Sequence, residues 1–218
     1  VGDSLANVLY GMKNTHKISL DIMIKHALSV RLGVKKSLLI VDMPKNTYET
    51  KKDALTNAKK IISITRCEAV KLESNNKNYN IIQHLVKSGI PVMGHIGYTP
   101  QFKGKFRACG HNQKEKNKLI KEAKNIEKAG AFSIVLECIA SKASKEITEQ
   151  LKIVTVGIGS SVNCDGQILV TDDLLGLSGF YPKFVKKYVK LDKIIEKGVQ
   201  KYKSDVLNKK FPKKKNEY

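Results

Sequence analysis

This chain of 218 residues has no tryptophan, no long apolar run and no glycine motif of the dinucleotide-binding kind. Because no apolar stretch reaches the roughly 18 residues that a membrane-spanning helix needs, the sequence predicts no membrane partner. No GxGxxG motif follows an apolar run, so nothing supports a nucleotide-binding sheet. The four cysteines form no CxxC pair, which predicts reduced thiols in a cytoplasmic protein rather than disulfides.

Acidic residues are also scarce, since 20 Asp and Glu face 40 Lys and Arg and leave a formal net charge of +20. Such an excess is typical of nucleic-acid-binding proteins, and that class is a remote alternative for this chain. The lysines, however, are spread over nearly every expected helix without aromatic residues among them. We therefore predict solvated helix faces and no nucleic-acid partner; an alternative is a positive field that helps to draw in anionic substrates.

Short apolar runs recur along the chain, and four of them end abruptly in an ionisable residue: SLLIVD, AVKLE, PVMGH and FSIVLE. Runs of this length are typical of strands buried on both faces of a parallel sheet. Helical patterns alternate with the runs, which predicts repeated βα units. Charged groups at the carboxyl ends of such strands are how a (β/α) barrel gathers its chemistry at one rim. The pattern predicts an enzyme, with an open doubly wound sheet as the alternative fold.

Seven strand ends can be counted if Val1 closes one strand and the segment GQILV is the last, one fewer than the eight of a closed barrel. The chain begins without Met inside what reads like a strand end, so we expect N-terminal strands to be missing. We predict one barrel domain over 1–206 and a frayed basic tail over 207–218. Among the helices, one is expected to have Ser19 as its N-cap and Gly33 as its C′ residue, just beyond its end, and a last helical region is expected over roughly 182–206.

Two pairs of residues are candidates for a site at the strand ends. Asp3 and Asp42 would meet at a barrel rim, where a cation such as Mg²⁺ would relieve their repulsion; the alternative is helix N-capping. Lys71 and Glu73 flank Leu72 and so point to the same face of their strand. That pair could hold a substrate carboxylate and a metal-bound water, or could be a structural ion pair.

Two single residues are further candidates. His95 could donate a hydrogen bond to an anionic substrate, although a core histidine would show the same pattern. Glu137 ends the most apolar of the runs, and a carboxylate against apolar walls is suited to act as a general base; the alternative is a residue merely at the strand exit. Cys138 has no clear base near it in the sequence, and we interpret it as inert packing.

At these positions the chain resembles the ketopantoate hydroxymethyltransferase family. The resemblance is carried, in family order and over nearly the whole chain, by VGDSL, LLIVDMP, AVKLE, PVMGHIGYTPQ, IVLEC, VTVGIGSSVNCDGQILV and YPKFVK. GHIGYTPQ and GIGSSVNCDGQ are long enough to be specific. The loop FKGKFRACGHN is shorter than is usual in the family.

The resemblance implies a Mg²⁺-dependent (β/α)8 TIM barrel of the phosphoenolpyruvate/pyruvate type. It implies transfer of a hydroxymethyl group from 5,10-methylenetetrahydrofolate to α-ketoisovalerate through a Mg²⁺-stabilised enolate, which gives ketopantoate for pantothenate biosynthesis. It also implies a homo-oligomer, since bacterial relatives are decamers. An alternative is another Mg²⁺-dependent enolate-forming lyase or aldolase on the same barrel. Such lyases carry a loop cysteine, and the surroundings of the one candidate, Cys109, do not match.

The resemblance also implies roles for single residues, by motif position. The implied metal ligands are Asp3, Asp42 and Glu73. The implied substrate contacts are Asp3, Ser4, Asp42, Lys71 and His95. The implied catalytic proton acceptor is Glu137.

Overall fold

The computed structural model describes residues 1–74, 78–104, 106–179 and 181–218. Within them the chain forms six strands, which are β1 (Ile40–Asp42), β2 (Ala69–Glu73), β3 (Val92–Gly97), β4 (Ser133–Glu137), β5 (Val154–Ile158) and β6 (Gly166–Gln167). The α-helices are α1 (Leu5–Val8), α2 (Leu20–Gly33), α3 (Lys51–Thr65), α4 (Tyr79–Lys87), α5 (Gln113–Lys128), α6 (Ser141–Gln150), α7 (Thr171–Leu175) and α8 (Leu191–Leu207).

The six strands form one parallel sheet in chain order, and α3 to α6 connect β1 to β5 one after another. Val1 extends this sheet beside β1: its amino group donates to the carbonyl of Ile40 at 2.6 Å, and the N–H of Asp42 donates to the Val1 carbonyl at 2.9 Å. These are the two hydrogen bonds that a residue makes with the neighbouring strand in a parallel sheet. The predicted strand end at Val1 and the predicted βα units are therefore confirmed.

Side-chain caps set the beginnings of three long helices. The Ser19 hydroxyl accepts from the N–H of Ile22, and the Thr50 hydroxyl and the Asn112 side chain accept in the same way at α3 and α5. The predicted cap at Ser19 is confirmed. The prediction that Gly33 lies just beyond the helix, as its C′ residue, is wrong, because Gly33 is the last residue of α2. The N–H of the extended Val34 bonds back to Val30, so no left-handed residue is needed there.

By packing, the chain divides into two compact units, Val1–Ile168 and Leu169–Tyr218. The first unit contains the sheet, and its fully buried side chains include Val41, Leu72, Val92, Ile134 and Leu136 on strands and Ile61, Ile82, Leu85, Ile126 and Ile147 on helices. The domain bounds 1–206 and 207–218 stay a prediction. None of the described helices is long and apolar enough to cross a membrane.

The second unit differs from the helix expected over 182–206. Only α8 is helical there, because the N–H of Tyr188 bonds to the carbonyl of Leu174 at 2.9 Å and ties the preceding segment to α7. Two short helices, α1 and α7, were not expected from the sequence. With four and five residues they are too short to show a periodic apolar pattern.

Candidate active site

The parallel register brings the charged strand ends side by side. Asp42 lies opposite Lys71, Glu73 lies opposite His95, and Glu137 lies opposite Gly97. Because side chains alternate along a strand, Lys71 and Glu73 share one face. The prediction that these residues meet at the carboxyl ends of the strands is confirmed by this register and by the contacts below.

Asp3 and Asp42 form the centre of the group. Because Val1 pairs with β1, Asp3 lies at the carboxyl end of that strand. The backbone N–H of Asp3 donates to Oδ2 of Asp42 at 3.1 Å. Both side chains are buried, with 4% and 5% exposure. Burial, and next the charge of Asp42, raise the pKa of Asp3 to about 6. Two like charges thus lie close together in a place with little water.

Lys71 supplies the compensating positive charge. Its Nζ lies 3.1 Å from Oδ1 of Asp42 and 3.5 Å from Nδ1 of His95. Burial alone would lower the pKa of Lys71, but the charges of Asp42 and Asp3 outweigh burial and raise it. The lysine is therefore cationic at neutral pH. A cation held in this way is suited to a substrate carboxylate.

His95 is buried beside the predicted base. Burial, and next the charge of Lys71, lower the pKa of His95, so its ring is neutral at pH 7. Its Nε2 lies 3.2 Å from Oε2 of Glu137, but the two are not aligned as a hydrogen bond. Among the described residues this nitrogen has no hydrogen-bond partner. A buried polar atom left open in this way is available to a ligand.

Gln101 is a residue of the site that the sequence pattern did not reveal. Its backbone N–H donates to Oε2 of Glu73 at 2.9 Å, and its Nε2 donates to Oδ2 of Asp3 at 2.9 Å and to the carbonyl of Met43 at 3.1 Å. Its Oε1 accepts from the Tyr48 hydroxyl. Its place at the end of the GHIGYTPQ motif was the one signal in the sequence.

Glu73 joins the group through the hydrogen bond that it accepts from the backbone N–H of Gln101. Burial raises the pKa of Glu73 well above its usual range; Lys71 opposes this shift, and Asp3 adds to it. Its Oε1 lies 3.9 Å from Nδ1 of His95. The carboxylate is thus held at the edge of the group, between the amide and the imidazole.

The backbone around Glu137 is tightly constrained. Gly97 has φ +100°, and a Cβ at this position would clash with the carbonyl oxygen of Glu137. That carbonyl also accepts the N–H of Tyr98 at 2.8 Å. Cys138, the next residue, has φ +51°, which is a strained value for a side chain with a Cβ. Glu137 is therefore fixed at the end of β4, with 19% of its side chain exposed.

The Cys138 thiol, which follows Glu137 in the chain, is not a reactive group of the site. Burial, followed by the charge of Glu137, raises the pKa of the thiol to about 12, so it stays protonated at neutral pH. This supports the interpretation of Cys138 as packing.

Ser4 lies next to Asp3, at the beginning of α1, and its hydroxyl makes no capping bond to that helix. The structure therefore brings six of the seven predicted site residues into contact, directly or through Gln101, with Ser4 adjacent in the chain.

In the part of the chain that the structure describes, no three His, Cys, Asp or Glu side chains converge closely enough to hold a metal ion by themselves. Two buried carboxylates with a third one further out are nevertheless compatible with Mg²⁺. This ion commonly takes one or two carboxylates and keeps several of its waters. The donor set is hard oxygen throughout, and the repulsion between Asp3 and Asp42 is what a cation would relieve. The residues present fit such an ion.

The shifted pKa of Asp3 predicts a pH dependence for the metal-free protein. Between about pH 4 and pH 6 the folded state binds more protons than the unfolded chain, because the pKa of Asp3 rises from 3.8 to about 6 on folding. The free energy of unfolding from this group is therefore largest below about pH 4 and falls as the pH rises through 6, by at most about 3 kcal/mol. Thermal denaturation in EDTA across this range measures the loss.

Asp3→Asn is the matched variant for that experiment, because its side chain cannot ionise. Its stability should fall less steeply with rising pH than that of the wild-type protein. Equal slopes for the two proteins would contradict the raised pKa of Asp3.

Solved structures with a similar fold support the barrel architecture. 2,3-dimethylmalate lyase, a PEP mutase/isocitrate lyase superfamily member, matches with a TM-score of 0.55 and 13% identity over 72% of this chain. Oxaloacetate acetylhydrolase, in complex with the product oxalate, matches with a TM-score of 0.54 and 14% identity over 72% of this chain. This chain spans 57% and 56% of the lengths of those two proteins. The predicted fold class, a partial (β/α) TIM barrel, is confirmed.

Sequence relatives are much closer. The ketopantoate hydroxymethyltransferase family model matches residues 1–214. The 3-methyl-2-oxobutanoate hydroxymethyltransferase of Pelagibacter ubique (strain HTCC1062) is 53% identical over 100% of this chain and 85% of its own length. The enzyme of the same name from Rhizobium etli (strain ATCC 51251 / DSM 11541 / JCM 21823 / NBRC 15573 / CFN 42) is 46% identical over 97% of this chain and 80% of its own length. The chain carrying this rim of buried charges belongs to the ketopantoate hydroxymethyltransferase family and is a transferase.

Proposed function

We propose that this enzyme transfers a hydroxymethyl group from 5,10-methylenetetrahydrofolate to α-ketoisovalerate, giving ketopantoate in pantothenate biosynthesis. The names of its close relatives support the reaction. The observation that carries the proposal is the meeting of a carboxylate base and a cationic contact at one rim. Glu137 lies beside His95, and His95 lies beside the Lys71–Asp42 pair.

We further propose that the site takes Mg²⁺, with Asp3 and Asp42 as direct ligands. Glu73 would act through a bound water, because Gln101 and His95 hold it apart from the aspartates. When bound, Mg²⁺ supplies Lewis-acid stabilisation of the negative charge that develops on the ketone oxygen. Replacing the repulsion between Asp3 and Asp42 with attraction to a shared cation is the physical reason for this assignment.

Four side chains would act on the ketoacid itself. Lys71 offsets the charge of its carboxylate and fixes its orientation, with Ser4 as a second contact. His95 has a buried Nε2 without a partner among the described residues, and this atom can bond to the substrate. Glu137 takes the proton from the carbon next to the ketone, a step worth about 10²–10⁴ in rate. That carbon then attacks the methylene carbon of the folate as one of its two carbon–nitrogen bonds opens, and the proton taken by Glu137 passes to the released nitrogen. Water replaces the second nitrogen, which gives the hydroxymethyl group and tetrahydrofolate, and no protein nucleophile is needed.

The test separates the two halves of the reaction. Exchange of solvent deuterium into α-ketoisovalerate, followed by NMR, reports proton removal without folate, and ketopantoate formation on adding 5,10-methylenetetrahydrofolate reports transfer. Both should require Mg²⁺ and be lost in EDTA. Exchange without transfer, or cleavage of a carbon–carbon bond in another ketoacid, would instead favour a lyase on the same barrel.

Two further proposals, on the location and on the oligomeric state of the enzyme, accompany this function. We propose a cytoplasmic enzyme whose partners are small-molecule substrates and further copies of itself. By the family resemblance the assembly would be a decamer. Light scattering after size-exclusion chromatography measures its mass.

A further inference from the structure

A cavity of about 680 Å³ opens beside the site. It is formed by the loop that follows β1 and by the first turns of α3 and α4, so it lies on the carboxyl-end side of the sheet, as the site does. We call it the lysine cavity, and the lining residues that matter here are Lys45, Tyr48, Glu49, Lys51, Lys52 and Phe102. Its volume falls in the range of ligand pockets, about 300–1,000 Å³.

One layer of side chains separates the lysine cavity from the carboxylates. Tyr48 lines the cavity, and its hydroxyl donates to Gln101, which in turn donates to Asp3. Phe102 follows Gln101 in the chain and also lines the cavity. Its ring meets that of Tyr48 edge-on at 6.4 Å and is 41% exposed. The cavity thus offers an open aromatic face next to the site.

The net charge of the described lining of the cavity is positive. Among those residues the positive charges of Lys45, Lys51 and Lys52 are offset by one acid, Glu49. Within the described ranges none of the three lysines forms an ion pair, whereas Lys60 and Lys71 nearby in the chain are paired with aspartates. The positive end of α3, which begins at Lys51, adds to the same field. An apolar ring joined to several carboxylates is the ligand chemistry that this arrangement favours.

We propose that the lysine cavity binds the aminobenzoyl-glutamyl end of the folate co-substrate, with its ring against Phe102 and its glutamyl carboxylates on Lys45, Lys51 and Lys52. This rests on the proposed function, in which a folate is the one-carbon donor. Each glutamate added to the folate tail adds a carboxylate. The cavity therefore distinguishes folates by the length of this tail, while the reacting end of the folate lies toward Gln101.

The experiment compares tetrahydrofolate with one glutamate and with four, by equilibrium binding measured calorimetrically. We expect the wild-type protein to bind the tetraglutamate about 10-fold more tightly, an advantage of about 1.4 kcal/mol that weakens at high salt. The triple variant Lys45→Gln, Lys51→Gln and Lys52→Gln should lose this advantage. All three are side chains at the protein surface or partly buried, so the fold should tolerate the change.

A second cavity supplies the control. About 440 Å³ in volume, it is lined by residues of α5 and α6 that include Lys121, Lys124 and Lys128. Changing these three to glutamine removes the same net charge, and we expect the tetraglutamate advantage to remain. Loss of the advantage in both triple variants would mean a general field effect and would overturn the proposal.

Equal binding of the two folates by the wild-type protein would also overturn it, as would an advantage that survives in the first triple variant. The proposed function fails differently. It fails if the wild-type protein neither exchanges deuterium into α-ketoisovalerate nor forms ketopantoate with either folate.

Discussion

Replacing Glu137 with glutamine is expected to abolish the exchange of solvent deuterium into α-ketoisovalerate, with a fall in rate of about 10²–10⁴. Glutamine keeps the shape of the side chain but cannot accept the proton. His95, 3.2 Å away, is a poor substitute, because burial and the charge of Lys71 lower its pKa and make its ring a weak proton acceptor. Proton NMR in deuterated buffer with Mg²⁺ measures the exchange directly.

The binding of Mg²⁺ serves as the internal control, since Glu137 is not among the predicted metal ligands and its variant should bind the ion nearly as well as the wild type. Glu149→Gln is the matched external control, because it removes an exposed carboxylate whose partner Lys145 is also exposed. Full exchange activity in Glu137→Gln would remove Glu137 from the base role.

Asp42→Asn is expected to raise the Mg²⁺ concentration for half-maximal exchange by at least about 10-fold. Asparagine can still accept the backbone N–H of Asp3. It lacks the negative charge that attracts the cation, and it leaves the buried Lys71 without its ion-pair partner at 3.1 Å. Titration of exchange activity with Mg²⁺, together with calorimetric binding of the ion, measures the effect.

The chain offers a close control for this variant. Asp21 pairs with Lys60 at 2.8 Å in the same chemical arrangement, but on the exposed surface. Asp21→Asn should therefore leave the Mg²⁺ requirement unchanged, since exposed pairs contribute little. An Asp42→Asn variant with the wild-type Mg²⁺ dependence would contradict the role of Asp42 as a ligand.

The rim of the site could be predicted from the sequence because two local signals coincide there. Each apolar run marks a buried strand, and the charge that ends it must lie at the edge where the ends of parallel strands meet. Asp42, Lys71, His95 and Glu137 follow from that rule. Asp3 follows from the same rule, because Val1 pairs with β1 as the end of a further strand.

Gln101 and Tyr48 could not be predicted in this way. Both lie in loops, and their places depend on hydrogen bonds to residues distant in the chain, which no local pattern reports. The segment before α8 was missed for the same reason, because the bond from Tyr188 to Leu174 decides its path. Local periodicity describes elements, while contacts between them set the loops.

The amide of Gln101 has a consequence for how the site meets its ion. Gln101 joins the ends of three successive strands, because its side-chain amide donates to Asp3 and Met43 and its backbone N–H donates to Glu73. Because neither the amide nor the peptide N–H titrates, the donors of this clasp keep their protons at any pH at which the protein is folded. The conformational entropy that is lost in bringing the carboxylate oxygens together is thus lost when the chain folds. An arriving cation would find Asp3 and Glu73 already held at the strand ends and would have less left to organise.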